Sequence, residues 1–376
     1  MKTFYFCSAD CPRRNIDGQK IFNYLSKNGW EYTEDYESAD IIVINTCAVH
    51  QKTEDFSMKT IEFYIKNKKT EAKMIISGCL PKINPIRLNI FKDLLIVHPR
   101  EPEVLDKYLA SKFKFKDIPE PTELKQFSLM PSKNKSVSKM PTIFEGLKQA
   151  FYLKISDGCV GNCSYCAIRF SSGLLKSRSK EEIIKEFKEG LVRGHKKFAL
   201  VAGDIGCYGL DLGIDIVDLL REIFSIKGDY KLFLEEFNVQ WIIKYYSELE
   251  ELFKKNHKRI QMIIIPIQSG SDRILELMSR PYNISQVTQC LSKLKKNIPS
   301  LKIVTHILVG FPGETEEDFA KTKKLIRDFK FDFIYIYGYS DRPNTRASMM
   351  KDKVPYETIE KRVLEIKKIQ RNLFVK

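Results

Sequence analysis

Two rhythms of apolar and polar residues alternate along the chain. Short apolar runs at Lys2–Phe6, Ile41–Asn45, Lys73–Ser77 and Leu94–Val97 read as strands. Ile41–Asn45 (IIVIN) is a continuous β-branched run rather than an alternating one, which predicts a parallel strand buried on both faces. Between the runs the apolar period is helical. Gln19–Asn28 carries Ile21, Phe22 and Leu25 on one face and stops at Gly29, and Asp55–Lys66 follows the same pattern. These elements predict an open α/β domain over residues 1–112.

Residues 113–145 break the rhythm. Pro119, Pro121, Pro131 and Pro141 stand among Lys and Ser, as in a linker. The alternation then resumes over residues 146–376. Strands are predicted at Phe151–Ile155, Lys197–Val201, Tyr230–Leu234, Gln261–Ile265, Lys302–Leu308 and Phe333–Ile336. Helices are predicted at Lys180–Arg193, Gly213–Ser225, Val239–Phe253, Asp272–Met278, Ile284–Lys296 and Glu314–Phe329. Six strand–helix units predict a partial (β/α)6 barrel, with its chemistry at the strands' C-terminal ends. Glu357–Phe374 reads as one long basic amphipathic helix.

Composition narrows the class. The 376 residues suit two domains, and 43% hydrophobic content excludes a disordered chain. No apolar run approaches the roughly 20 residues of a membrane helix, and Met-Lys-Thr-Phe does not open a signal peptide, so a cytoplasmic protein without membrane contact is expected. In that reducing compartment the nine cysteines are ligands, reactive thiols or core residues before they are disulfides. The net charge of +15 suggests an acidic partner such as nucleic acid. Only 16 of the 63 basic residues are Arg, so the excess also fits Lys-rich solvated helices.

The cysteines sort by position. Cys159, Cys163 and Cys166 form C-x3-C-x2-C in SDGCVGNCSYC, just after the first barrel strand, with Gly158 and Gly161 letting the backbone wrap closely. Three thiolates on such a loop suit an iron–sulfur cluster with one iron left open; a zinc loop or scattered core thiols are the alternatives. Cys11, Cys47 and Cys79 each lie in a loop after a predicted N-terminal strand, on the edge where open α/β sheets place ligands. They either hold a second cluster or are three buried thiols. Cys7 and Cys290 read as core, and Cys207 as a barrel-top residue near the site or merely structural. His98, His195, His257 and His306 are isolated.

These residues resemble the radical S-adenosylmethionine methylthiotransferases, whose members modify tRNA or an aspartate of a ribosomal protein. The resemblance runs in order through CPRRNID at Cys11–Asp17, ADIIVINTCAV at Ala39–Val49, ISGC at Ile76–Cys79, PIQSGSDRILELMSRPY at Pro266–Tyr282, LVGFPGETEEDF at Leu308–Phe319 and YSDRPNTRASMM at Tyr339–Met350. It implies two 4Fe-4S clusters, one held by Cys159, Cys163 and Cys166, the other an auxiliary cluster on Cys11, Cys47 and Cys79. It implies two S-adenosylmethionine molecules per turnover, one cleaved to a radical that takes a substrate hydrogen, one methylating the sulfur carried by the auxiliary cluster. An external flavodoxin- or ferredoxin-like electron donor follows. Gly203 and Asp204 would stand near the methionine moiety. Gln268, Ser269 and Gly270 would seat the ribose or carboxylate, Arg280 would pair with the carboxylate, and Gly310, Pro312 and Gly313 would allow close approach of adenine. Glu235 and Glu236 at the barrel mouth would contact the ribose or amine, or form a solvated pair. Ordinary roles compete: a turn cap for Asp204, an exposed loop polar for Gln268, a surface ion pair for Arg280.

Two departures shape the substrate expectation. Arg14 stands where the family pattern has Asn, so Arg13 and Arg14 would bring positive charge to the substrate. The family's small C-terminal RNA-binding barrel, the TRAM domain, would begin about where the chain ends. A peptide or protein substrate, such as a ribosomally made peptide, is therefore expected first. The alternative is tRNA adenosine, modified at C2 next to the anticodon, which the charge favours. A non-catalytic metal-binding protein is the remote third reading.

Overall fold

The computed structural model describes residues 2–9, 12–125, 127, 129, 144 and 147–374. Its residues divide into two units, the first of residues 1–139, 167–173 and 342–344, the second of residues 140–166, 174–341 and 345–376.

In the first unit, Ile41–Thr46 is buried at every position, as a strand covered on both faces must be. Five parallel strands form the sheet: β1 (Thr3–Ser8), β2 (Glu31–Tyr32), β3 (Ile41–Thr46), β4 (Lys73–Gly78) and β5 (Leu94–Ile96), in the order β2-β1-β3-β4-β5. The helices are α1 (Pro12–Lys27), α2 (Gln51–Asn67), α3 (Leu80–Ile83), α4 (Val104–Tyr108) and α5 (Ile168–Ser172). Helix α1 starts seven residues before the predicted Gln19. Its polar opening hides it from periodicity, while Pro12 in the first turn suits a helix start. Gly18 lets it press on the sheet, since a Cβ there would lie 2.8 Å from Asn45 Nδ2 and 3.0 Å from Phe6 Cζ. The two-residue β2 is too short to register in the sequence pattern.

The stretch read as linker is partly built into this unit. Phe115 and Ile118 are buried in its core, and Phe127 lies 4.7 Å from Phe6 between ring centroids. Lys20 pairs with Glu120 at 2.6 Å. Isolated apolar residues in irregular backbone leave no period to read. Residues 130–143 lie outside the described residues.

The second unit holds β6 (Phe151–Lys154), β7 (Ser156–Asp157), β8 (Lys176–Ser177), β9 (Lys197–Val201), β10 (Lys231–Leu234), β11 (Ile260–Gln268), β12 (Lys302–Val309) and β13 (Phe333–Gly338). Six of them form a parallel sheet in the order β13-β12-β11-β10-β9-β6, each next to its sequence neighbour, while β7 and β8 pair as a small antiparallel ribbon. The helices are α6 (Lys180–Val192), α7 (Ile216–Ser225), α8 (Val239–Lys244), α9 (Tyr246–Lys255), α10 (Asp272–Leu277), α11 (Ile284–Asn297), α12 (Glu316–Phe329) and α13 (Tyr356–Phe374). This is the partial barrel. The helix predicted over Val239–Phe253 is two, because Tyr245 leaves helical geometry at φ −102°, ψ 26° while the apolar pattern runs on through the break. Helix α13 belongs to the barrel core through Ile366. Its Ile359 sits so near Gly310 and Gly338 that a Cβ would meet it at 2.3 and 2.7 Å. The side of Gly310 where a Cβ would stand is thus filled by helix packing. No helix among the described residues is long and apolar enough to cross a membrane.

Candidate active site

Strands β1, β3 and β4 are neighbours, and their C-terminal ends align through Ser8 opposite Asn45 and Thr46 opposite Gly78. Cys47 follows β3 directly and Cys79 follows β4, so the parallel register brings two cysteines to one sheet edge. Cys11, the third expected ligand, lies outside the described residues, just before α1. Gly78 is required here: its φ is +91°, and a Cβ would meet the Thr46 carbonyl oxygen at 2.1 Å. The Cys79 N–H donates to that oxygen at 2.9 Å, and the Cys47 N–H to the Ser57 hydroxyl at 3.1 Å. The main chain under both thiols is therefore held. Cys79 is buried and Cys47 half-buried.

Arg14 is not available to a substrate. It is 3% exposed. Its Nε–H donates to Cys79 Sγ at 3.2 Å, Nη1 to Asp17 at 2.6 Å, and Nη2 to the hydroxyls of Ser171 and Ser172 at 3.0 and 2.9 Å. A guanidinium buried this fully must spend its donors inside, which overrides the expected substrate role. Burial pushes the Cys79 thiol up, but the Arg14 and Arg13 cations and hydrogen bonds from Ser171 and Arg14 outweigh it and hold its pKa below the ordinary value. For Cys47 burial wins and the pKa is raised. Cys7 is wholly buried in the same unit's core.

In the second unit, Cys159, Cys163 and Cys166 follow β7 on one loop and are half-buried. Gly158 takes φ +72°, and the Gly161 N–H donates to Cys159 Sγ at 3.1 Å. The loop is clamped through Ser164, whose N–H and hydroxyl donate to the carbonyls of Met278 and Leu277 at 3.0 and 2.8 Å, and whose carbonyl accepts from Ala347 N–H at 2.9 Å. Arg346 donates to the Asn162 carbonyl. The MSRPY and TRASMM strings thus fix the cysteine loop, a role the sequence did not disclose.

Around this loop the expected ligand contacts divide. Arg280 is buried, not a surface ion pair. Its Nη2 donates to the Tyr165 hydroxyl at 2.7 Å, and its Nε has no hydrogen-bond partner among the described residues. Glu235, at the end of β10, is buried with Oε1 likewise unpartnered. Burial, then the neighbouring Glu236, raises its pKa to about 8. Ser156 Oγ is the third such atom. Gln268 ends β11 with φ +77°, a conformation non-glycine residues hold only when surroundings impose it. Glu235 and Gln268 stand at the C-terminal ends of neighbouring strands β10 and β11, and with Arg280 and Ser156 they offer groups that suit a ligand carrying carboxylate, ammonium and hydroxyl groups. S-adenosylmethionine is such a molecule.

Other residues are spent on the protein. Asp204 accepts from Gly206 N–H, Asn238 N–H and Trp241 Nε1–H at 3.0, 3.2 and 2.8 Å, so it organises the loop beside half-buried Gly203. The Ser269 hydroxyl accepts from Ser271 N–H, and Gly270 packs so tightly that a Cβ would meet Thr322 Cα at 2.6 Å. Glu236 reaches His306 Nε2 at 3.6 Å rather than standing free. Cys207 is buried within 4.8 Å of the ligand atoms of Cys159 and Asp204, which places it beside the cysteine loop.

Residues 153–326 match the family described as Radical SAM superfamily, and residues 3–96 the one described as Uncharacterized protein family UPF0004. Two archaeal relatives are named "Probable threonylcarbamoyladenosine tRNA methylthiotransferase". That of Methanocaldococcus jannaschii is 34% identical over 91% of this chain and 76% of its own length; that of Pyrococcus horikoshii is 31% identical over 93% and 80%. The chain belongs to the radical S-adenosylmethionine methylthiotransferases. Another methylthiotransferase, "Ribosomal protein uS12 methylthiotransferase RimO" of Protochlamydia amoebophila, is 30% identical over 99% of this chain and 77% of its own length. The fold is shared with the radical S-adenosylmethionine methyltransferase TsrM of Kitasatospora setae at TM-score 0.64 and 13% identity, over 93% of this chain and 77% of that one. As a radical enzyme of this family, the methylthiotransferase uses a [4Fe-4S] cluster and S-adenosylmethionine.

Sequence reasoning did not find Tyr165, Ser156 or Trp241. Tyr165 carries the clearest signal, standing between Cys163 and Cys166 and directly before the latter. Ser156 and Trp241 have none, since their roles come from what lies opposite in space.

Proposed function

We propose that this methylthiotransferase attaches a methylthio group to C2 of a modified adenosine beside the anticodon of tRNA, with the threonylcarbamoyl form as substrate. The observation that carries this reading is the name shared by the two archaeal relatives, at 31% and 34% identity across more than nine-tenths of the chain. The +15 charge supports it, because phosphate neutralisation supplies much of RNA affinity. The peptide or protein substrate expected first from sequence therefore yields to tRNA. The uS12 relative keeps a ribosomal-protein aspartate as the second reading.

Cys159, Cys163 and Cys166 would hold the radical cluster; Cys11, Cys47 and Cys79 would hold an auxiliary one. When bound, the clusters and two molecules of S-adenosylmethionine supply the radical, the sulfur and the methyl group, with electrons from a small donor protein. Arg280 would fork onto the ligand carboxylate, its Nε supplying the second N–H of a bidentate pair. Glu235 and Gln268 would meet the ammonium and ribose. Arg13, half-buried beside the auxiliary cysteines, remains for substrate charge.

The test is mass spectrometry of bulk tRNA nucleosides and of intact uS12, with and without the gene. A methylthio gain on threonylcarbamoyladenosine supports the proposal. A gain on uS12 alone overturns it in favour of the second reading, and no gain in either pool overturns both.

A further inference from the structure

Arg14 is a costly residue to bury. A guanidinium removed from water needs a counter-charge and partners for its donors. Asp17, one turn along α1, supplies the charge at 2.6 Å. Ser171 and Ser172 of α5 accept from Nη2, and the Arg14 carbonyl accepts from Asn45 Nδ2 at 2.8 Å, so backbone and side chain are both immobilised. What this framework presents is one N–H of a fixed cation aimed at one sulfur, Cys79 Sγ at 3.2 Å, with Ser171 Oγ 3.6 Å from the same atom. Because the arginine is pinned by three other residues, the contact is directional rather than a chance approach of a flexible side chain.

We propose that Arg14 is the positioning residue of the auxiliary site: it holds the Cys79 sulfur in its ligating orientation and sets the reduction potential of the cluster bound there. This rests on the auxiliary-cluster reading above. Hydrogen bonds to cluster sulfurs and nearby positive charge favour the reduced, more negative state and raise the potential. Arg14 supplies both in a buried setting where neither is diluted by solvent. Asp17 moderates the effect by partly cancelling the charge. The two residues therefore act in opposite senses on one potential, although each supports the other structurally.

The experiment uses the full chain with Cys159, Cys163 and Cys166 replaced by Ala, so that any iron reports the auxiliary site alone. After anaerobic reconstitution, iron and sulfide are counted and the cluster is titrated with redox mediators under paramagnetic resonance. In this background Arg14→Gln, which keeps a donor but loses the charge, should lower the potential. The expected shift is on the order of tenfold in the reduced-to-oxidised ratio, about 59 mV for one electron. Arg14→Lys should shift it less. Asp17→Asn should raise it. A purely structural role would not give opposite signs, so equal or same-direction shifts in Arg14→Gln and Asp17→Asn overturn the proposal. If Arg14→Gln fails to load, Asp17→Asn decides alone: a raised potential supports the proposal and an unmoved or lowered one overturns it. Absence of iron from the background carrying Arg14 and Asp17 intact would instead refute the auxiliary cluster itself.

Discussion

Arg14 and Arg280 are both buried beside cysteines, at 3% and 8% exposure, yet they use their donors differently. Arg14 has every terminal nitrogen engaged with a protein group. Arg280 gives one hydrogen bond to Tyr165 and has an unpartnered Nε. Burying an unsatisfied charged donor costs on the order of several kcal/mol, so it persists where a ligand completes it. The contrast separates two uses of a buried cation. In the first unit the donors are all spent on protein groups; in the second, one stays unpartnered among the described residues, which is what the proposed carboxylate contact would use. The cysteines differ in the same way. One triad is local, eight residues from first to last. Of the other three, Cys47 and Cys79 are brought to one sheet edge by the β3–β4 register, while Cys11 lies outside the described residues.

The sharpest way to break this contrast is to remove one sulfur from each site. Cys159→Ala should abolish S-adenosylmethionine cleavage, measured as loss of 5′-deoxyadenosine formation. Cys47→Ala should leave cleavage in place and stop methylthio transfer. Retained transfer in Cys47→Ala would show that the first unit's site is only structural.

Next in size is the arginine pair itself. Arg280→Met should weaken S-adenosylmethionine binding by roughly tenfold to a hundredfold, the size of one charge-assisted hydrogen bond of about 1.5–3 kcal/mol. Arg14→Gln should leave that affinity within about twofold, because no contact to the ligand is lost. Equilibrium binding on the reconstituted enzyme checks both, and equal losses would erase the distinction.

Glu235 gives a smaller effect, read as pH dependence. Burial raises its pKa from the ordinary 4.5 to about 8. A carboxyl whose folded pKa is raised contributes its full stability below the unfolded value and loses it as pH climbs through the folded one. The apoprotein should therefore lose thermal stability between about pH 5 and pH 8. Asp204, raised to about 6, and Glu314, raised to about 7, add to the same slope, in each case through burial. Glu235→Gln should flatten the upper part of the decline, checked by melting temperature at several pH values; an unchanged slope would show that Glu235 is not buried as an acid. Smallest of all, Cys207→Ala removes the hydrogen bond from its thiol to the Asp204 carbonyl at 3.1 Å, beside Cys159. It should change cluster loading by less than about fivefold, the size of one neutral hydrogen bond of about 1 kcal/mol, measured as iron per chain.

What the sequence disclosed follows the same division. The Cys159–Cys166 loop and the six barrel strands were legible because their signals are local: a tight spacing, and apolar runs that must be strands. Residues whose role depends on a distant partner were not. Arg14 read as a substrate contact because it stands near Cys11 in place of the family's Asn; its partners Cys79, Ser171 and Ser172 lie 65 to 158 positions away. At Gly310 the packing of Ile359 of α13 where a Cβ would stand was likewise not legible, because α13 lies about fifty positions further on. Asp204 and Ser269 stand where the family motif places ligand contacts, but their polar atoms have protein partners: Gly206, Asn238 and Trp241 for Asp204, and Ser271 for Ser269. The start of α1 was missed because its first turns are polar, and the break at Tyr245 because the helical period continues across it.

The proposed function requires two cluster sites in this methylthiotransferase, one local and one at the edge of the first unit's sheet. Iron per chain after anaerobic reconstitution tests it most directly, in the unsubstituted protein and in the variant with Cys159, Cys163 and Cys166 all replaced by Ala. Two four-iron clusters predict about eight irons in the first and about four in the second. About four in the first and none in the second would contradict the account, leaving Cys47 and Cys79 as ordinary thiols at the end of a sheet.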